Sequence, residues 1–153
     1  RFVAMAAEQA GHAIRWEEVQ ALRDFHEKAQ RERNRAAFPD AEARYPDFMT
    51  DMLKAVFRKE NVAEELRRVT DYELDLESRV LVPRRAIAGL VQRLHQQGKT
   101  IVVMTDMYLP SEHIRRLMDR AGVLRDVDLV VSSADTFHAK ASGAGSPLLR
   151  SRS

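Results

Sequence analysis

Thr105 and Asp106 follow directly on a five-residue apolar and β-branched run, Thr100 to Met104, and Pro110-Ser111-Glu112 opens a helical pattern four residues later. A hydroxyl at a strand end, with backbone N–H groups entering a loop before a helix, suits an anion. Free amides and a helix N-terminus both favour negative charge. A second apolar run, Val127 to Ser132, ends in Ser132-Ser133, and Lys140 comes seven residues later in His138-Ala-Lys-Ala-Ser-Gly143. If the two runs are neighbouring strands, Lys140 reaches the same pocket and neutralises phosphate charge. Taken singly, Thr105 suits a helix cap or a turn equally well, and Lys140 reads as a solvated surface lysine. Only their joint spacing points to a bound phosphate.

The elements that must position these residues alternate. Pro83 starts a helical pattern in which Ile87, Leu90, Val91 and Leu94 recur at i, i+3, i+4 and i+7, with Gly98 as its stop. The Thr100–Met104 run follows and reads as a strand buried on both faces, as in a parallel sheet. From Pro110 a second helical pattern carries Ile114, Leu117, Met118 and Ala121 to Gly122, and the Val127–Ser132 run reads as the next strand. Helix, strand, helix, strand with short connections is the grammar of a parallel sheet with right-handed crossovers. In such sheets ligands bind at the carboxyl ends of the strands, which is where Thr105 and Asp106 fall. Two strands do not make a stable sheet by themselves, so partner strands are expected from outside this sequence or from another copy.

Residues 1–80 read as helical throughout. Phe2, Val3, Ala6 and Ala10 precede a stop at Gly11. Trp16, Val19, Leu22, Phe25 and Ala29 mark a long helix closed before Pro39. Pro46 suits a first helical position and leads a Phe48–Phe57 stripe of methionine, phenylalanine and aliphatic residues. Asn61 and Glu64 have the spacing of a capping box for a fourth helix through Leu66, Val69 and Tyr72 toward Glu77. The expected organisation is a helical lobe over 1–80, a partial α/β unit over 81–143 and an irregular tail over 144–153.

Composition narrows the classes of function. The 153 residues are 44% hydrophobic and 31% charged, with a formal net charge of +2 and no cysteine. That is the balance of a soluble globular protein, without disulfides or thiolate chemistry. No stretch approaches the roughly 20 apolar residues that span a bilayer, and the first residues lack a signal-peptide layout. A cytoplasmic location is the default, and both ends read as cut. The basic run Arg31-Glu-Arg-Asn-Arg35 is interleaved with acids at Glu27, Glu32 and Asp40, so it reads as a solvated helix face rather than a nucleic-acid surface. Asp71, Glu73, Asp75 and Glu77 alternate around a helix and read as a solvated acidic face. The five histidines show no paired ligand spacing.

Met104-Thr-Asp-Met-Tyr-Leu-Pro110 closely resembles the second motif of the haloacid dehalogenase superfamily of phosphohydrolases. The similarity is greatest to a bacterial subgroup whose motif reads Ser/Thr-Asp-Met-Tyr-Leu-Pro. Val131-Ser-Ser133 with Lys140-Ala-Ser-Gly143 resembles the subgroup's lysine region, and the helices around Leu22-Arg23 and His26-Glu27 resemble its inserted cap. The resemblance implies a Rossmann-like core beneath a helical cap, acting on a phosphorylated small molecule through an aspartyl-phosphate. Thr105 would hydrogen-bond a phosphoryl oxygen, as would the N–H of Asp106, and Lys140 would balance charge on nucleophile and phosphoryl group. Mg²⁺ would bridge the two in a complete family member.

The sequence departs from that pattern at both ends. No Asp-x-Asp nucleophile motif precedes the helical half, and no acid follows Asp135 to hold a metal. No residue here supports the Mg²⁺ site, and the chain as it stands is expected to show no turnover. The competing expectation, from a different class, is a non-catalytic helical interaction module using the Phe48–Phe57 stripe as its surface, or a fragment without function.

Overall fold

The computed structural model describes residues 1–139. Lys140, the rest of the expected lysine region and the 144–153 tail lie outside the described residues. Five helices come first: α1 (Phe2–Gln9), α2 (Trp16–Ala37), α3 (Tyr45–Phe57), α4 (Ala63–Val80) and α5 (Arg85–Gln96). Then follow β1 (Val102–Thr105), α6 (Ser111–Arg120), a 3-10 turn (Leu124–Asp126), β2 (Leu129–Ser132) and the single turn α7 (Ser133–Thr136). The fold is mixed α/β, mostly helical, with one small sheet among the described residues. None of the described helices is long and apolar enough to cross a membrane.

β1 and β2 pair in parallel, with Val102 opposite Leu129 and Thr105 opposite Ser132. The two strand ends that carry the candidate chemistry therefore lie side by side. Gly98 and Gly122 deliver the chain to the strands from α5 and α6. Each adopts positive φ (73° and 72°) just past its helix, where a side chain would be strained. The next residue, Lys99 or Val123, donates back to Leu94 or Met118, closing a Schellman cap.

One expectation about this unit needs correction. β1 was expected to be buried on both faces over 100–104; it begins at Val102, which is 37% exposed, and its other residues are only half-buried. Ile101 is instead held outside the strand, its N–H donating to the Asp128 carboxylate at 2.7 Å. The physical reason is the size of the sheet: β1 has one strand neighbour among the described residues. The amphipathic α5 has no buried residue, with Ile87 and Leu90 exposed.

The core lies chiefly in the helical half. Phe48, Met49, Met52, Leu53, Val56 and Phe57 of α3 are all buried, packed among α1, α2 and α4. The stripe expected to serve as a binding surface in the interaction-module reading is thus interior. The same hydrophobic cluster runs on without a break through Leu109, Ile114, Leu117 and Val130. α4 packs against α6, and Tyr45 donates its N–H to the Tyr108 carbonyl at 2.9 Å.

The charged stretches resolve into pairs. Arg31 bonds Glu27 and Glu42, Arg35 bonds Glu42 at 3.1 Å, and Arg33 approaches Asp51 at 3.8 Å. The acids of α4 are not simply solvated. Asp71 and Asp75, four apart, face Arg116 and Arg120 of α6, while Glu73 on another face holds Arg23 of α2 at 2.6 Å. The expected capping box at Asn61 and Glu64 does not form. Val62 is the N-cap, so Glu64 sits one position too early to reach back, and Asn61 accepts from the Ala63 N–H at 3.2 Å.

Candidate functional site

The loop 106–110 runs from the end of β1 to the start of α6, and side chains at the end of β2 hold it in place. Ser132, wholly buried, donates its hydroxyl to the Leu109 carbonyl at 2.6 Å and accepts from the Ala134 N–H at 3.2 Å. Ser133 accepts from the Met107 N–H at 3.1 Å, and the Ser132 N–H donates to the Ser111 hydroxyl at 3.1 Å. Asp135 accepts from the Ser111 N–H at 2.7 Å, placing a carboxylate on the N-terminus of α6, where the helix dipole favours it. Arg44, at the foot of α3, stands 3.6 Å from the same carboxylate.

The serine pair thus acts as a set of staples that fix the loop after Thr105. Removing one should be felt in stability. Ser132→Ala leaves the buried Leu109 carbonyl without its donor and α7 without its cap. The expected cost is about 1–3 kcal/mol, read as a lowered urea midpoint. An unchanged midpoint would show that the loop is held by other means.

Thr105, half-buried, closes β1 beside Ser132, and Asp106 opens the loop. Lys140 lies outside the described residues, so its approach to Thr105 is not described. Beyond α7 the chain turns at Phe137, whose backbone is left-handed (φ 57°) and whose ring stacks on Phe38 of the helical half at 5.5 Å. The one Asp-x-Asp of the sequence, Asp126-Val-Asp128, stands before β2, at the opposite end of the sheet from Thr105. Its carboxylates face His95 at 3.8 and 3.6 Å, and Asp128 also holds Ile101. It therefore does not share a pocket with Thr105. Among the described residues no group of three or more His, Asp or Glu side chains is arranged to hold a metal ion.

On the far side of the loop, Tyr108 meets the helical half. Its ring lies 6.2 Å from Tyr45 and 6.0 Å from Phe48, and Tyr45 in turn meets His113 of α6 edge-on at 5.6 Å. Burial pushes both phenols up from their ordinary range. Burial works against the Arg23 charge, but Glu73 outweighs it and holds the guanidinium protonated. His113 is pushed below its ordinary value, first by burial and then by Arg116 and Arg44, against the opposing pull of Glu112 and Asp135.

The His113 shift has a consequence for stability. The unfolded imidazole takes up its proton near pH 6.5 and the folded one only at lower pH. The unfolded chain then binds the extra proton, so this contribution to stability is complete above about pH 6.5 and is lost as pH falls below it. Comparing unfolding free energies of the parent and His113→Asn between pH 7.5 and 5 isolates the effect. The parent should lose more than the variant, and parallel losses would contradict the assignment.

The residues that sequence reasoning missed are Ser111, Asp135 and Arg44. Asp135 followed the serine pair without any motif of its own, and its partner lies 24 residues away. Compared with protein-family models and with curated proteins, the chain matches none.

Proposed function

We propose that the chain is the cap and part of the Rossmann-like core of a haloacid-dehalogenase-like phosphohydrolase, and that the ends of β1 and β2 bind a phosphoryl group. The observation that carries this reading is the parallel pairing of Thr105 with Ser132, at the mouth of a loop held by Ser133, Ser111 and Asp135. That pairing supports the joint spacing from which the phosphate site was inferred.

In this reading the Thr105 hydroxyl and the Asp106 N–H hold phosphoryl oxygens, and Lys140 supplies the balancing positive charge. Chemistry of this kind is positioning and electrostatic stabilisation of a loose transition state. The phosphorylated small molecule would present its leaving group to the helical half, and the protein would work in the cytoplasm. Mg²⁺, when bound in a complete family member, supplies charge neutralisation between nucleophile and phosphate. The described residues offer no set of ligands for it.

The gene tests the reading at once. The roughly 40 codons on either side of this frame should encode, in frame or one base out, an Asp-x-Asp upstream and an acidic pair downstream. A protein carrying those segments should hydrolyse p-nitrophenyl phosphate in the presence of Mg²⁺. Unrelated flanking codons in every frame would reduce the resemblance to ancestry.

A further inference from the structure

Where the helical half meets the end of β2, two of its side chains bear on one short turn. Phe38, 46% exposed, stacks its ring on Phe137, with centroids 5.5 Å apart and planes 13° from parallel. Arg44 places its Nε 3.6 Å from the Asp135 carboxylate. Both residues are themselves fixed. The Phe38 N–H donates to the Asn34 carbonyl at 2.9 Å, and its carbonyl accepts from the Ala41 N–H at 2.8 Å. The Arg44 N–H donates to the side chain of buried Gln30 at 2.7 Å, and its guanidinium also bonds Asp47 at 3.2 Å. The helical half thus presents a held platform at this point.

The turn it touches, Ser133 to Phe137, is the piece that holds the loop 106–110. Ser133 accepts from the Met107 N–H and Asp135 from the Ser111 N–H. Phe137 closes the turn by donating its N–H to the Ser133 carbonyl at 2.8 Å, and does so at φ 57°. That left-handed backbone costs a non-glycine residue free energy and persists only where the surroundings enforce it. A helix of one turn, such as α7, does not hold itself together in water. We propose that the Phe38–Phe137 stack, with the Arg44–Asp135 pair as its second point, braces this turn and so lets the helical half govern the order of the loop after Thr105. Phe38 is then a positioning residue for phosphate binding, and this part of the proposal rests on the phosphate reading above. Without the brace the loop is competent for only a fraction of the time, and apparent affinity falls by that fraction. The worth of one aromatic pair corresponds to about three- to tenfold.

The full chain, labelled with ¹⁵N, is followed by amide hydrogen exchange without phosphate and then by titration with inorganic phosphate, in the parent and in Phe38→Ala. The expected result is faster exchange at the Met107 and Ser111 amides, which report local opening of the loop. Phosphate binding should weaken by about three- to tenfold, at a urea midpoint close to the parent's. Phe38→Tyr keeps the ring and should restore both readouts. Phe137→Gly removes the partner ring and takes the left-handed backbone without strain, so it provides the second variant should Phe38→Ala fail to fold. The double variant should lose no more than either single one, because the two rings act as one contact. Parent-like exchange at both amides in the single variants would overturn the brace, and so would additive losses in the double variant. A lowered midpoint with parent-like exchange would reduce the stack to packing and overturn it as well. Equal phosphate affinity in parent and Phe38→Ala would remove the positioning role of Phe38. Faster exchange in the variants, with no saturable phosphate binding in the parent, would uphold the brace and overturn the phosphate reading instead.

Discussion

Phe48→Ala is expected to lower the unfolding free energy by about 3–5 kcal/mol, the usual cost of truncating a buried phenylalanine. The side chain is wholly inaccessible in α3 and meets the rings of Tyr45 and Tyr108 at 5.7 and 6.0 Å. It therefore lies where the helical half and the loop after β1 join. Small domains are stable by only about 5–15 kcal/mol, so the loss is a large fraction of the whole. Phe25, 64% exposed on α2, is the matched control, and Phe25→Ala should stay within about 0.5 kcal/mol of the parent. Urea unfolding of the two variants side by side decides the matter. Equal costs would mean that α3 does not organise the core.

The second large effect concerns rate. In a longer protein that carries an Asp-x-Asp and a downstream acidic pair and turns over a phosphomonoester, Thr105→Ala should reduce kcat/KM by about 10²–10³, the usual loss on removing one donor to a developing charge. Thr105→Ser keeps the hydroxyl and should restore most of that loss. The contrast separates the hydroxyl's chemistry from the packing of its methyl group, which serine also lacks. If the serine variant were as impaired as the alanine variant, Thr105 would be acting through packing at the end of β1.

Much of this arrangement was legible in the sequence because it is local. Gly98 and Gly122 end their helices at the positions their spacing indicated, and both capping geometries are built from residues within one turn. The two apolar runs form adjacent parallel strands, as the alternation of helix and strand required. What could not be read depends on residues far apart in the chain. Asp71 and Asp75 show the alternation of a solvated acidic face; only the packing of α4 against α6 brings Arg116 and Arg120 to them. Ser132 and Ser133 carried a motif resemblance, but their hydrogen bonds to the loop span some twenty-five residues. Thr100 to Met104 reads as a fully buried strand, since burial by a neighbour is not encoded in the strand itself. Lys140, the second half of the inferred phosphate pair, falls beyond the described residues.

The most direct measurement of the proposed phosphate binding at the end of β1 is a titration of the ¹⁵N-labelled chain with inorganic phosphate. It requires neither a nucleophile nor a metal. Saturable shifts at the amides of Thr105, Asp106, Met107 and Ser133, weakened about tenfold in Thr105→Ala by the loss of a charge-assisted hydrogen bond, are the predicted result. An absence of saturable shifts at those amides, or equal affinity in the alanine variant, would contradict it.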